Sequence, residues 1–192
     1  ASPVAIDPRN PSPTTGGATL DDDLGQGPFD QAPAVESRTD VAVFSTPILA
    51  TPVEIAGAPV ARIWASTNRA DADVAIRLTD VYPDGRSMLV WDGIRRLRYA
   101  AGYTPADTGQ VAPGTVVQLE IDLPPLAYVW PAGHGIRLVV GGNNYPRFDL
   151  NLQNGGPVLA PGDSLSGTLT IHTGPSHPSQ LRLPVVPQAT GT

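Results

Sequence analysis

Three kinds of residue in this sequence could do chemistry: a serine in a tight turn, three histidines, and a set of closely spaced aspartates. Gly162-Asp163-Ser164-Leu165 has the spelling of a nucleophile block found in one class of serine esterases. A serine attacks only when an imidazole can take its proton, and that class supplies the imidazole from a downstream Asp-x-x-His pair. Here neither His172 nor His177 has an aspartate three residues before it. The block also lies late in the chain, in a stretch rich in Gly, Pro and Asp, so a loop turn is the plainer reading of Ser164. No G-x-S-x-G elbow occurs. The chain has no Cys, which excludes a thiol nucleophile, a thiolate metal site and a disulfide framework. All its basic side chains apart from the histidines are arginines, so Schiff-base chemistry and a Ser–Lys dyad are excluded too.

The histidines are His134, His172 and His177, and none has the H-x-x-x-H or H-E-x-x-H spacing of a zinc site. His134, between Gly133 and Gly135, reads as a turn histidine bonded to backbone. Asp71, Asp73 and Asp80 are either ligands of a structural calcium ion or a solvated strand entry. Asp21-Asp22-Asp23 reads as a solvated loop, because a calcium loop needs spaced ligands, not adjacent ones. In Pro146-Arg147-Phe148-Asp149 the charges suggest a structural ion pair. Trp64, Trp91 and Trp130 suit core packing, or else an aromatic platform for a sugar ring. No cofactor and no metal are expected.

The elements that must position these residues follow from composition. The chain has 192 residues, 41% of them apolar, which suits one domain with a real core. Gly (20) and Pro (22) together exceed a fifth of the chain, which excludes a mainly helical fold. The net charge is −6 and the arginines are scattered, so a nucleic-acid partner is not expected. No apolar run approaches the ~18 residues of a membrane span. The chain begins without Met or a signal-like segment, as a mature product or an excised fragment would. The cellular location stays open, and Arg-only usage suggests a bacterium of high GC content.

Residues 1–34 read as an extended leader packing on the domain, with Pro at positions 3, 8, 11, 13, 28 and 33. From Val41 onward, short β-branched runs alternate with turn residues. They are Val41–Ser45, Val53–Ile55, Val60–Ser66, Val74–Tyr82, Ser87–Trp91, Ile94–Tyr99, Val116–Leu123, Ala127–Trp130, Ile136–Val140, Leu165–Ile171 and Leu181–Val186. Val74, Ile76 and Leu78 oppose Ala75, Arg77 and Thr79, which predicts one buried and one solvated face. Pro83-Asp84-Gly85 reads as the turn of a hairpin. Asn143–Ser164 reads as a long loop across one end. About ten strands without a convincing helix predict an all-β antiparallel sandwich or barrel over residues 35–192.

Several motifs together resemble the C-terminal, non-catalytic domain of the CocE/NonD hydrolases. That group includes X-Pro dipeptidyl-peptidases, cocaine-esterase-like enzymes, α-amino-acid ester hydrolases and glutaryl acylases. The likeness is carried by the segments Asp7–Gly17, Gly27-Pro28-Phe29-Asp30-Gln31, Arg38-Thr39-Asp40-Val41, Asp80–Arg86 and Gly93-Ile94-Arg95-Arg96. It continues through Gly133-His134-Gly135-Ile136-Arg137, Asn144–Asn151, His177-Pro178-Ser179 and Leu181-Arg182-Leu183-Pro184. Gly135 is a departure, since many relatives carry Arg there. The resemblance implies a jelly-roll β-sandwich of the galactose-binding-like type. It also implies an upstream α/β-hydrolase catalytic domain as partner, with copies of the parent enzyme as a second class of partner. The Ser-Asp-His triad belongs to that upstream domain, so none of it maps here. In the family the jelly roll stabilises the catalytic domain and helps wall its acyl pocket. The candidate interface residues are Phe29, Asp30 and Gln31, in a loop without strand signal. The alternative is a carbohydrate-binding jelly-roll module, which requires an exposed Trp in a groove.

Overall fold

The computed structural model describes residues 1–158 and 160–187. Among these, the β-branched runs form eleven strands: β1 (Ser2–Ile6), β2 (Val41–Ser45), β3 (Val53–Gly57), β4 (Val60–Thr67), β5 (Asp73–Val81), β6 (Ser87–Arg96), β7 (Val117–Asp122), β8 (Leu126–Trp130), β9 (Gly135–Gly141), β10 (Gly167–His172) and β11 (Gln180–Arg182). Helix is limited to single turns at Ala32–Glu36 and Leu97–Tyr99. One sheet has the order β2-β9-β5-β6. The other places β4 between β7 on one side and β10 followed by β11 on the other, with β1 outside β10. β3 and β8 form a two-stranded ribbon, and every pairing between named strands is antiparallel. The chain moves repeatedly from one sheet to the other, which makes the sandwich a jelly roll.

Alternation decides which side chains lie between the sheets. Ala61, Ile63 and Ala65 of β4, Leu119 and Ile121 of β7, and Leu169 and Ile171 of β10 face Val74, Ile76 and Leu78 of β5 and Ile136, Leu138 and Val140 of β9. Trp130 is fully buried beside them, and its indole N–H donates to Thr79 O at 3.3 Å, which satisfies the one polar atom it carries inward.

Two features differ from the sequence reading. The first is β1, inside the segment expected to be a leader. It pairs with β10 from Ser2↔Ile171 to Ile6↔Gly167, and buries Val4 and Ile6. Two inward apolar residues next to a proline are too short a pattern to announce a strand. The second is β5, which is buried on both faces from Asp73 to Asp80. Residues 8–36 lie across the face expected to be solvated. Val35 packs there on Val41 and Val139, and Ser12 and Gln31 are buried. The covered Arg77 donates to Pro13 O at 2.9 Å, and burial pulls its pKa down to about 10.

Aspartates expected at a solvated strand entry are buried instead. Arg96 grips both oxygens of Asp73, at 2.7 and 3.0 Å, and Asn151 Nδ2 adds a third bond at 2.9 Å. Arg98 Nε donates to Asp71 at 2.6 Å and its Nη2 to Gly156 O at 2.9 Å, pinning the Asn143–Ser164 loop. Asp80 lies elsewhere, bonded to His134 and Tyr128. The three carboxylates proposed for calcium are therefore split, and arginines or ring groups occupy them.

The Asp73–Arg96 pair supports a stability prediction. Asp73→Ala leaves a largely buried guanidinium without its carboxylate, and a broken buried pair costs about 3–5 kcal/mol. Urea denaturation should show that loss. A change below about 1 kcal/mol would mean that the pair behaves as a surface contact.

Candidate functional site

β6 is an edge strand, and its free backbone groups need partners. Gly27–Gln31 supplies them. Leu89 N donates to Phe29 O at 3.0 Å, and Gln31 N donates to Ser87 O at 2.8 Å. Asp30 faces Met88, and its Oδ1 accepts from Ser87 N at 2.8 Å and from Ala32 N, the first N–H of the turn at Ala32–Glu36, at 3.0 Å. Gln31 is fully buried, with its Nε2 donating to Thr15 O at 2.7 Å and Phe29 O at 3.0 Å. The structure thus brings the three sequence candidates together on a short segment bridged to the edge of β6. Only Phe29 turns a large apolar surface outward, 46% exposed.

The segment before it is a pinched arm. Gly17 N donates to Gly27 O at 2.8 Å and Gly27 N to Gly17 O at 3.0 Å, closing a loop over residues 18–26. Asp21, Asp22 and Asp23 are exposed at its tip, and Leu20 beside them is 94% exposed. Sequence reasoning passed over Leu20. The signal available was an apolar residue isolated against an acidic run.

The arm stands on an ion pair. Arg147 Nη1 donates to Asp92 Oδ1 at 2.6 Å, and Asn144 Nδ2 donates to Asp92 Oδ2 at 2.7 Å. Arg147 therefore pairs with Asp92 on β6, not with its neighbour Asp149. Gly17, at φ 93°, lies so close that a Cβ there would be 2.7 Å from Arg147 Nη1. Thr14 N donates to Tyr145 O at 2.7 Å and Arg147 N to Thr14 Oγ1 at 3.1 Å, fixing the incoming chain to the same loop.

A concavity of about 730 Å³ opens between arm and sheet, lined by Gly17, Pro28, Tyr82, Val90, Trp91 and Tyr128 among others. A bulge helps to shape it. Leu78 pairs with Trp91 and Thr79 with Leu89, so Val90 is the extra residue and the strand turns its aim there. The tyrosines are held from behind. Tyr128 OH donates to Asp80 Oδ2 at 2.9 Å, His134 Nδ1 bonds Asp80 Oδ1 at 2.8 Å, and the Tyr82 and His134 rings lie 4.5 Å apart. The partner of His134 is thus a buried carboxylate and not backbone.

Nucleophilic chemistry finds no assembled triad among the described residues. Ser164 sits in the long loop with no histidine bonded to it. Ser66 Oγ and His172 Nε2 are 2.9 Å apart on the outer face of the β4 sheet, but no carboxylate bonds that imidazole. His177 stands beside it, ring centroids 5.8 Å apart, and packs its edge on Trp64 at 4.9 Å.

Residues 7–182 match the X-Pro dipeptidyl-peptidase C-terminal non-catalytic domain. A cocaine esterase from Rhodococcus sp. (strain MB1 Bresler) is 35% identical over 190 residues, 97% of this chain and 32% of that protein. Among solved structures, an aminopeptidase from a marine-sediment Thaumarchaeota archaeon superposes with a TM-score of 0.86 at 28% identity, covering 96% of this chain and 33% of the other. An α-amino-acid ester hydrolase gives a TM-score of 0.86 at 28% identity, with coverage of 96% and 32%. The chain spans about a third of the length of each.

Several groups titrate away from their ordinary values. Burial pushes the Asp92 carboxyl up against the opposing pull of Arg147 and Asn144, and burial with the Asp80 bond pushes the Tyr128 hydroxyl up. Burial and the neighbouring His177 hold His172 below its ordinary 6.5. An imidazole lowered in the folded state binds fewer protons there than when unfolded. Its stability contribution is complete above 6.5 and is lost as pH falls toward the lowered value. Urea midpoints should therefore drop on acidification just below 6.5, and His172→Gln should flatten that drop. An identical slope in the variant would assign it to another group.

Proposed function

The chain belongs to the X-Pro dipeptidyl-peptidase C-terminal non-catalytic domain family, and from that membership we propose that it serves as the accessory domain of an α/β-hydrolase-type serine hydrolase. In this reading it stabilises the catalytic domain on which it packs and helps wall the acyl pocket. The parent enzyme cleaves esters or N-terminal peptide bonds, in keeping with the esterase and aminopeptidase among the relatives. The segment 1–34 is then the path by which the chain leaves the catalytic domain. Turnover belongs to that domain, not to this chain.

The observation that carries the proposal is the braced arm. Leu20 and Phe29 are large, apolar and exposed on a loop held by paired backbone bonds, an edge strand and the Asp92–Arg147 pair. Covering a side chain of that size contributes about 1.5–3 kcal/mol, and an interface within one chain typically buries ~600–1,500 Å². A wall of this kind excludes water, so the dipoles that stabilise an oxyanion act more strongly. Phe29 makes the contact, while Asp30 and Gln31 hold it in place. For the carbohydrate-binding alternative, Trp130 is sealed and Trp64 meets the edge of His177, which leaves Trp91, partly buried against the core at the wall of the concavity, as its one candidate platform among the described residues.

The test is made in the full-length parent enzyme. Leu20→Ala with Phe29→Ala should lower kcat/KM roughly tenfold, equivalent to about 1.4 kcal/mol of transition-state stabilisation. The thermal midpoint of the isolated jelly roll should stay unchanged. Unaltered kcat/KM and unaltered stability of the catalytic domain would reject the wall. So would covalent labelling of Ser164 in this chain by an organophosphonate, since it would move the nucleophile here.

A further inference from the structure

Three sites in the chain place an aspartate or asparagine directly before glycine: Asp84-Gly85, Asp92-Gly93 and Asn154-Gly155. Such a pair can react with itself, because glycine has no Cβ to obstruct attack by its own backbone nitrogen on the preceding side-chain carbonyl. The structure separates the three. Gly85 N already donates to Tyr82 O at 3.0 Å, and Asp84 is engaged by the Arg86 backbone at 3.1 Å and its guanidinium at 2.8 Å. Asp92 is buried with both oxygens occupied, and Gly93 lies inside β6 against Leu123 and Ile121.

Asn154 differs on each count. It is exposed, and its neutral carboxamide is a better electrophile than an ionised carboxylate. Its Oδ1 accepts from Gly156 N at 2.8 Å, which polarises the carbonyl. Gly155 N donates no hydrogen bond to any described residue, so its nitrogen is available. The remaining asparagines are followed by Pro, Arg, Asn, Tyr or Leu, which lack the N–H or obstruct the approach.

We infer that Asn154 is a site of spontaneous backbone-assisted deamidation. Gly155 N forms a bond to Asn154 Cγ and gives up its proton. The bond from Cγ to the side-chain nitrogen breaks, and ammonia leaves. Water then opens the five-membered succinimide to aspartate or isoaspartate. Either product loses the Nδ2–H that donates to Asp163 O at 3.1 Å. Isoaspartate also lengthens the main chain by one atom between two clamps. On one side Gln153, at φ 62°, is bonded through its Nε2 to Leu165 O at 2.7 Å. On the other, Gly155 O and Gly156 O are held by Gln110 at 2.7 Å and Arg98 at 2.9 Å. The reaction thus works as a slow release of the loop from the Asp71–Arg98 pair.

The folded chain is incubated in mildly alkaline buffer and digested with trypsin. The peptide between Arg147 and Arg182 should gain about 1 Da, as two chromatographically distinct products. Asn154→Gln should abolish the gain, since closing a six-membered ring is far slower. A gain at another asparagine would overturn the assignment. So would an unchanged folded protein whose excised peptide deamidates in the same buffer, because the loop geometry would then protect Asn154 instead of exposing it.

Discussion

Every backbone N–H and C=O along a sheet edge or under a covered face must find a partner. In this molecule that demand falls on β6 and on the outer face of β5, and residues 8–36 meet it. Their backbone completes the β6 edge, and their carbonyls accept from Arg77 and from the Gln31 amide. Arg38 ties the same segment down, gripping Asp40 at 2.8 and 2.7 Å while reaching Asn10 O at 2.8 Å. Strip the segment away and the Arg77 guanidinium and the Ser87 and Leu89 amides of β6 lose partners together. The segment is therefore a third layer of the fold, and the arm it carries inherits that rigidity.

The same demand explains the use of arginine. A buried carboxylate is stable only when both oxygens are matched, and a planar guanidinium can match them in parallel. Arg96 does so on Asp73, and Arg147 shares Asp92 with an asparagine amide. Glu36 is held between Arg137 and the Ser87 hydroxyl, which lies 2.6 Å from its Oε1. The Asp92–Arg147 and Glu36–Arg137 pairs join segments distant in sequence and set where those segments dock, whereas Asp73–Arg96 is a cross-strand pair of the β5–β6 hairpin.

The sandwich was legible where a strand had one wet face. In β4 and β7 the period of two separated Ala61, Ile63 and Ala65 or Leu119 and Ile121 from their polar neighbours, and those side chains are the buried ones. β5 carried the same pattern, yet its polar face is buried because a distant segment covers it, and a local period cannot report that. β6 was read as two runs because the bulge at Val90 and the glycine at 93 interrupt the alternation. The site was legible only through motifs. Gly27–Gln31 was singled out, but a sequence does not say which of Phe29, Asp30 and Gln31 faces outward. The pairing of Arg147 with Asp92 spans 55 residues, whereas Asp149 was two residues away, so proximity in sequence pointed to the wrong partner.

In the proposed role of a pocket wall, the arm has to keep its position to within a fraction of an ångström, since misplacement of about 1 Å can cost a hundredfold in rate. A free loop of nine residues would not suit that role. The arm is short between its pinch points and rests on groups bonded into the sandwich. Gly17 sits against Arg147 with no room for a side chain, Arg147 is fixed by Asp92, and Asp92 belongs to a strand hydrogen-bonded into the sandwich. Positioning therefore passes from the hydrophobic core to the arm through one strand and one ion pair. Leu20 and Phe29 are left exposed at the end of that chain of support, where a partner domain can cover them.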